Sequence, residues 1–133
     1  MLRILFLIFI AVYTYQKSVA QDFLPSDKFI TLSPKEYEEK LNATNNKLII
    51  DVRTKGEFKK AHIKGAQNIS YLGSTFAEKA AELDNTKPVF IYCETAHRSP
   101  LAARILSNLG FKEIYDLQLG FENWRNLKMP MEK

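Results

Sequence analysis

The chain reads as an α/β domain: a mainly parallel sheet of about five strands with helices on both faces, three layers in all. Three observations predict it. From Phe29 onward, short apolar runs alternate with amphipathic stretches, the pattern of strands joined by crossover helices. Two of the runs, "KLIID" and "PVFIY", are almost continuously apolar, as strands covered on both faces are. Helix-start signals recur between the runs, each a Ser or Thr followed by proline or, three residues on, by glutamate.

Taken in order, "KFITLS" is a weak strand, and Ser33-Pro34 with Glu36 makes a capping box that opens a helix. Tyr37 and Leu41 share one face of that helix, and "NATNN" ends it. "KLIID" is a buried strand ending at Asp51. Thr54 and Glu57 form a second capping box at the start of a short helix running to Ala61. "GAQNIS" is a short strand, and Thr75 to Leu83 a helix with its own Thr75/Glu78 box. "PVFIY" runs straight into Cys93. Ser99 then suits an N-cap and Pro100 the first helical position. Leu101, Ile105 and Leu109 make an apolar stripe, and Gly110 closes the helix. "EIYDL" is the last strand and "FENWRNL" the last helix.

Residues 1–20 stand apart. A basic start at Arg3, an apolar run from Ile4 to about Tyr15, and Ser18-Val19-Ala20 have the three-part layout of a secretory signal cleaved before Gln21. The apolar run falls short of the roughly 20 residues a membrane span needs, so no stable anchor is expected after cleavage. Export, to a periplasm or to the exterior, is the expected destination. Residues 21–28 form a polar extension, and 29–133 the folded domain.

Removing the leader takes away Arg3 and Lys17 and no acidic residue, so the formal charge falls from +4 to +2. A chain so nearly balanced offers no basic stripe for nucleic acid. Its length suits one core.

Cys93 is the only cysteine. In an oxidising compartment it has no internal partner, and an odd thiol there signals intermolecular pairing or reactivity. Its position favours reactivity. Function in such sheets gathers at the carboxyl ends of strands, and Cys93 lies between a buried strand and a helix start. The peptide N–H groups of Glu94, Thr95, Ala96, His97, Arg98 and Ser99 have no obvious strand partner, and curled around the sulfur they would form an anion nest. The helix dipole and Arg98 add positive character. A helix N-terminus lowers a cysteine pKa from about 8.5 into the range of about 3.5 to 7.5. A fall from about 8.5 to about 6.5 favours the thiolate by roughly 2.7 kcal/mol. The expectation is a solvent-open thiolate acting as a nucleophile.

Several motifs, in order, are similar to those of the rhodanese-like domains. They are Asp51-Val52-Arg53 after a strand, Glu57-Phe58, and His62-Ile63 with Gly65-Ala66 and Asn68-Ile69. The Cys93-x4-Arg98-Ser99 loop, Leu109-Gly110-Phe111, and Gly120 with Trp124 complete the set. The resemblance spans nearly all of the chain beyond the leader. It implies a sulfurtransferase in which Cys93 takes sulfur from thiosulfate or a thiol persulfide and passes it to cyanide or a thiol, in two steps. The alternative is a persulfide carrier without turnover, handing its sulfur to a partner protein, or a binding module for such a partner. No cofactor is implied. Residues 94–99 would hold the sulfur-bearing anion, and Asp51 and Arg53 would support the loop from below or form a structural ion pair.

The loop departs from the family pattern twice. A basic second residue is common there, and here it is Glu94; a glycine is common at the fourth position, and here it is Ala96, strained if φ is positive. Glu94 is expected to offset Arg98 and so to weaken use of the dianion thiosulfate. Leu119 stands where a further glycine would precede Gly120.

Other residues carry blander expectations. Glu57 is read as a helix cap, His62 as a hydrogen-bonding structural residue, and Trp124 as packing. His97 either assists Cys93 or faces solvent. Cys93 and His97 supply two ligands, short of the three or four of a zinc site, so no metal is expected. Asn42-Ala43-Thr44 and Asn68-Ile69-Ser70 match a glycosylation pattern, read as accidental. A cysteine phosphatase or arsenate reductase would place arginine six residues after the cysteine, whereas Arg98 comes five after. The shorter loop suits a single sulfur better than a tetrahedral oxyanion.

Overall fold

The five strands of the computed structural model, which describes residues 29–133, lie in one parallel sheet ordered β1-β5-β4-β2-β3. They are β1 (Phe29–Leu32), β2 (Leu48–Asp51), β3 (Gln67–Asn68), β4 (Val89–Tyr92) and β5 (Ile114–Leu117), alternating with α1 (Pro34–Ala43), α2 (Lys55–Lys60), α3 (Phe76–Ala81), α4 (Ser99–Asn108) and α5 (Gly120–Asn126). The leader and the 21–28 extension expected from the sequence lie outside the described residues.

The three layers follow from period-two alternation along the strands. Ile91, Cys93 and Ile114 pack on one face with Phe76 and Ala80 of α3 and Ala102, Ala103 and Leu106 of α4. Phe90, Tyr92, Tyr115 and Leu117 pack on the other with Tyr37 and Leu41 of α1 and Phe121 and Trp124 of α5. The central strand β4 is wholly buried, which explains its unbroken apolar run.

Two capping boxes form as the sequence predicts. Ser33 and Glu36 close one on α1 and Thr54 and Glu57 the other on α2, each side chain meeting the other's backbone N–H. Two other helix starts differ. Thr75 makes no capping hydrogen bond because its backbone (φ −106°, ψ 12°) already turns, whereas a capping side chain is aimed back from an extended residue. Ser99 is not an N-cap either. Arg98 holds the cap position with helical angles, so the helix begins a residue early and Ser99 lies inside its first turn.

The buried face of α4 also differs from the expected stripe. Ser99, Ala102, Ala103 and Leu106 are buried, while Leu101 is exposed and Ile105 and Leu109 are half-buried. Small side chains let the helix approach β4 and β5 closely, and the larger ones flank the contact. The strand expected over "GAQNIS" is only two residues long. Asn68 there donates to the carbonyls of Asp51 and Arg53, so this side chain is part of the scaffold and the second glycosylation match is committed to it.

Candidate active site

Cys93 follows the last residue of β4, and the chain turns at once. The N-terminus of α5 holds the base of that turn: Phe121 N–H donates to the Cys93 carbonyl at 2.8 Å and Glu122 N–H to the Glu94 carbonyl at 3.0 Å. Gly120 makes the approach possible. It has φ 72°, and a Cβ on it would lie 2.7 Å from the Cys93 carbonyl oxygen and closer still to that of Glu94. Leu119 before it takes φ 60° and Ala96 within the loop φ 59°, both in the left-handed region that costs an L-residue roughly 1–2 kcal/mol.

The peptide N–H groups of Glu94 through Ser99 donate to no main-chain or side-chain acceptor among the described residues. Six successive N–H groups without a protein acceptor follow the cysteine, as the sequence predicts for the chain between strand and helix. The thiol itself departs from expectation: Cys93 has no exposed surface and packs in the aliphatic cluster with Ile91, Ala102 and Ala103. Side chains of α4, with Ser99 in its first turn, pack against it. One polar side chain nevertheless reaches the sulfur, since Sγ lies 3.5 Å from Ser99 Oγ.

Charge around the loop is arranged in closed sets. Arg53, itself buried, donates to both Asp51 oxygens, to the Ala61 carbonyl and, at 2.8 Å, to Glu94 Oε2. Its guanidinium stacks 4.1 Å from the Phe121 ring centroid. Burial alone would lower its pKa, but the hydrogen bonds and charge of Asp51, with Glu94, hold it above the usual arginine range. Arg125 takes the other Glu94 oxygen at 2.8 Å. Burial raises the Glu94 carboxyl, yet Arg53 and Arg125 together keep it below the ordinary carboxylate range.

Arg98 is held elsewhere. It forms a two-pronged pair with Glu57, both contacts at 2.9 Å, and that pair lowers the Glu57 carboxyl to about 2. Glu57 is therefore both a cap and the loop arginine's partner, which the capping-box reading alone missed. The expectation that Glu94 offsets Arg98 does not hold, because Glu94 is engaged by Arg53 and Arg125. Three arginines still face three carboxylates, Asp51, Glu57 and Glu94, so the surround is balanced by a different pairing.

Comparison with known proteins places the fold in a family. The family model described as the rhodanese-like domain matches residues 33–127. The chain belongs to the rhodanese-like domain family.

Among individual relatives, the uncharacterized protein YqhL of Bacillus subtilis is 35% identical over 115 residues, covering 86% of this chain and 80% of YqhL. The thiosulfate sulfurtransferase GlpE of Stutzerimonas stutzeri is 37% identical over 79 residues, 59% of this chain and 71% of GlpE. YrkF of B. subtilis, provisionally named a sulfur carrier protein, is 32% identical over 93 residues, and the match spans 70% of this chain and 49% of YrkF. A crystal structure of a rhodanese-related protein from Thermoplasma volcanium superposes with a TM-score of 0.68 at 26% identity, covering 77% of this chain and 97% of the other.

Within this rhodanese-like domain the candidate residues fall into two groups. Cys93 and Ser99 meet, with Arg98 held on Glu57 beside them in sequence, and Arg53, paired to Asp51, holds Glu94. Thr95 and His97 do not join them. Their side chains bond to each other at 3.0 Å and are exposed, which answers the open question of His97 in favour of solvent. His62 has the structural role expected of it, with Nδ1 on the Phe58 carbonyl and its ring stacked on Phe58. Sequence reasoning passed over Arg125 and Asp116. Asp116 had one signal, an acid within an otherwise apolar strand.

Proposed function

We propose that this domain is a sulfurtransferase working through a persulfide on Cys93. The observation that supports it is the run of amides from Glu94 to Ser99, without protein acceptors among the described residues, that directly follows the only cysteine. The thiolate attacks the outer sulfur of a donor, the donor's S–S bond breaks, and the leaving group, sulfite or a thiolate, departs with the electron pair. The acceptor, cyanide or a thiol, then attacks the outer sulfur of the Cys93 persulfide and the thiolate is restored. The nest and helix N-terminus stabilise the negative sulfur in each state.

The balanced surround argues for the donor class. Because Glu57 answers Arg98, no uncompensated cation awaits a dianion, and a thiol persulfide is the favoured donor over thiosulfate. The test is a donor panel with wild type, Cys93→Ser and Glu57→Gln. Mass spectrometry finds one added sulfur in wild type and none in Cys93→Ser, and Glu57→Gln moves the turnover ratio toward thiosulfate. Absence of any added sulfur with every donor overturns the activity; an unmoved ratio overturns the donor preference.

The name of YrkF supports a second reading, a carrier that hands its persulfide to a partner protein. Multiple turnover with small acceptors favours the enzyme, and a single loading that only a protein thiol discharges favours the carrier. Export remains part of the proposal; its test is N-terminal sequencing of the mature protein, with Gln21 expected as the first residue and an intact Met1 overturning it.

A further inference from the structure

The domain carries its net charge in one place. Of the chain's 19 lysines and arginines and 15 aspartates and glutamates, Arg3, Lys17, Lys28, Asp22 and Asp27 precede the described residues, which leaves 16 against 13. Lys55, Lys59 and Lys60 on α2 and Lys64 in the turn after it, with Glu57 as the one acid among residues 55–64, account for that whole excess. The remaining charges of the domain balance. All four lysines are exposed, and none has an ion pair among the described residues. Lys59 and Lys60 suit the last turn of the helix. Lys55 does not: it stands in the first turn, where the dipole disfavours a cation, and four residues from the like charge of Lys59. The stability of α2 does not explain it.

This basic patch adjoins the Cys93 loop. α2 follows β2 at the carboxyl end of the sheet, where Cys93 leaves the neighbouring strand β4. Glu57 ties the two together by holding Arg98 with both oxygens at 2.9 Å. That carboxylate is committed to Arg98 and to the Thr54 cap, so it leaves the lysine charges unanswered. One acid reaches this segment from elsewhere in the chain. Glu132 accepts from the Gly65 N–H and faces His62, and Lys133 beside it restores the positive charge.

We propose that Lys55, Lys59, Lys60 and Lys64 dock an acidic polypeptide whose cysteine receives the Cys93 sulfur. The inference rests on the sulfurtransferase reading for what is passed, and on the charge distribution for the docking. The rim arginines are already engaged by Asp51, Glu57 and Glu94, so recognition of a charged acceptor falls to the lysines. Their flexible point charges suit carboxylates in varied positions. A polypeptide brings carboxylates and a thiol on one surface, whereas nucleic acid and phospholipid bring negative charge without a thiol. The transfer is balanced: the acceptor thiolate attacks the outer sulfur of the Cys93 persulfide, that S–S bond breaks, and the Cys93 thiolate leaves with the electron pair. The lysines act before this step, by raising the rate of encounter and orienting the acceptor at the loop.

The test offers the persulfide-loaded full chain three peptides, each with a single cysteine flanked by aspartates, by glutamines or by lysines. At low salt, sulfur passes to the aspartate peptide about tenfold faster than to the glutamine peptide, the low end of what charge steering provides, and the lysine peptide is slowest. Raising the salt toward 1 M, where the screening length falls to about 3 Å, closes the gap. Combining Lys55→Gln, Lys59→Gln, Lys60→Gln and Lys64→Gln removes the preference and leaves the rate with the glutamine peptide unchanged. Equal rates for the three peptides with wild type overturn the proposal, as does a preference that survives in the combined variant. Docking is read separately by fluorescence anisotropy, with labelled peptides that carry serine in place of cysteine; the aspartate peptide binds wild type more tightly than the variant. That readout needs no sulfur. Lysine-dependent binding in a protein that transfers none leaves the docking surface standing and removes the sulfurtransferase reading instead. A DNA duplex or a phosphatidylserine vesicle bound as tightly as the aspartate peptide at the same salt overturns the assignment to an acidic polypeptide.

Discussion

Two carboxylates flank the Cys93 loop, and the fold treats them in opposite ways. Glu57, on the rim, meets Arg98 with both oxygens and its own helix cap with one of them. Asp116, buried in β5, has an oxygen that no donor meets. The first is held down to about 2 and the second raised to about 6. Paired groups whose surroundings push their titrations apart mark division of labour. The rim fixes the loop in place, and the interior holds a group still able to change its charge.

The comparison breaks most visibly at Arg53, the hub of the rim. Replacing it with methionine keeps bulk over Phe121 but leaves Asp51 a fully buried carboxylate without its partner. Breaking a buried pair from one side costs about 3–5 kcal/mol, so Arg53→Met is expected to lower the denaturant midpoint by that equivalent. A loss below about 1 kcal/mol would mean that the rim does not brace the loop.

The next effect sharpens the contrast because its sign differs between the two sites. Glu57 titrates lower when folded than unfolded, so its contribution is complete above about pH 4.5 and is lost as pH falls toward 2. Glu57→Gln is therefore expected to cost about 1–2 kcal/mol at neutral pH, allowing for solvent screening of a partly open pair, and little at pH 2. Asp116 titrates higher when folded, so its ionisation destabilises the fold above about pH 6 and has no effect below about pH 4. Asp116→Asn is expected to gain about 2–3 kcal/mol at pH 7, with the gain gone at pH 4. Unfolding curves at three pH values check both signs.

Closure of the site provides a smaller effect, about tenfold. Because Cys93 has no exposed surface, a bulky maleimide must wait for the loop to open, whereas a small methanethiosulfonate needs less room. About 1.4 kcal/mol of opening free energy is a factor of ten, so the maleimide is expected to react at least about tenfold more slowly than it does with a free peptide thiol. Glu57→Gln, by loosening Arg98, should narrow the gap.

What the sequence made legible was local. The apolar runs of β2 and β4, both working capping boxes and the cysteine at a strand's carboxyl end were read from neighbours within a few residues. The Glu57–Arg98 and Arg53–Glu94 pairs each join residues 41 apart, brought together only because β2 and β4 are adjacent in the sheet. The burial of Cys93 was missed for a related reason. An N-cap reading of Ser99 left the loop a residue longer and more open than the early first turn of α4 makes it.

The smallest effect tests whether backbone strain near the site has a purpose. Leu119 holds φ 60° and is largely exposed, so its side chain gives little packing in return for an unfavourable backbone. Glycine removes the left-handed penalty of roughly 1–2 kcal/mol but restores freedom to the unfolded chain, worth about 0.4–1 kcal/mol. Leu119→Gly is therefore expected to stabilise by about 0.5–1 kcal/mol, read as a small rise in the denaturant midpoint. The neighbouring Gly120 sets the contrast: it packs against the carbonyls of Cys93 and Glu94, so Gly120→Ala should destabilise while Leu119→Gly does the reverse. If Leu119→Gly leaves stability unchanged or lower, the leucine side chain contributes contacts that exceed its strain, and the loop's support extends one residue beyond the rim described above.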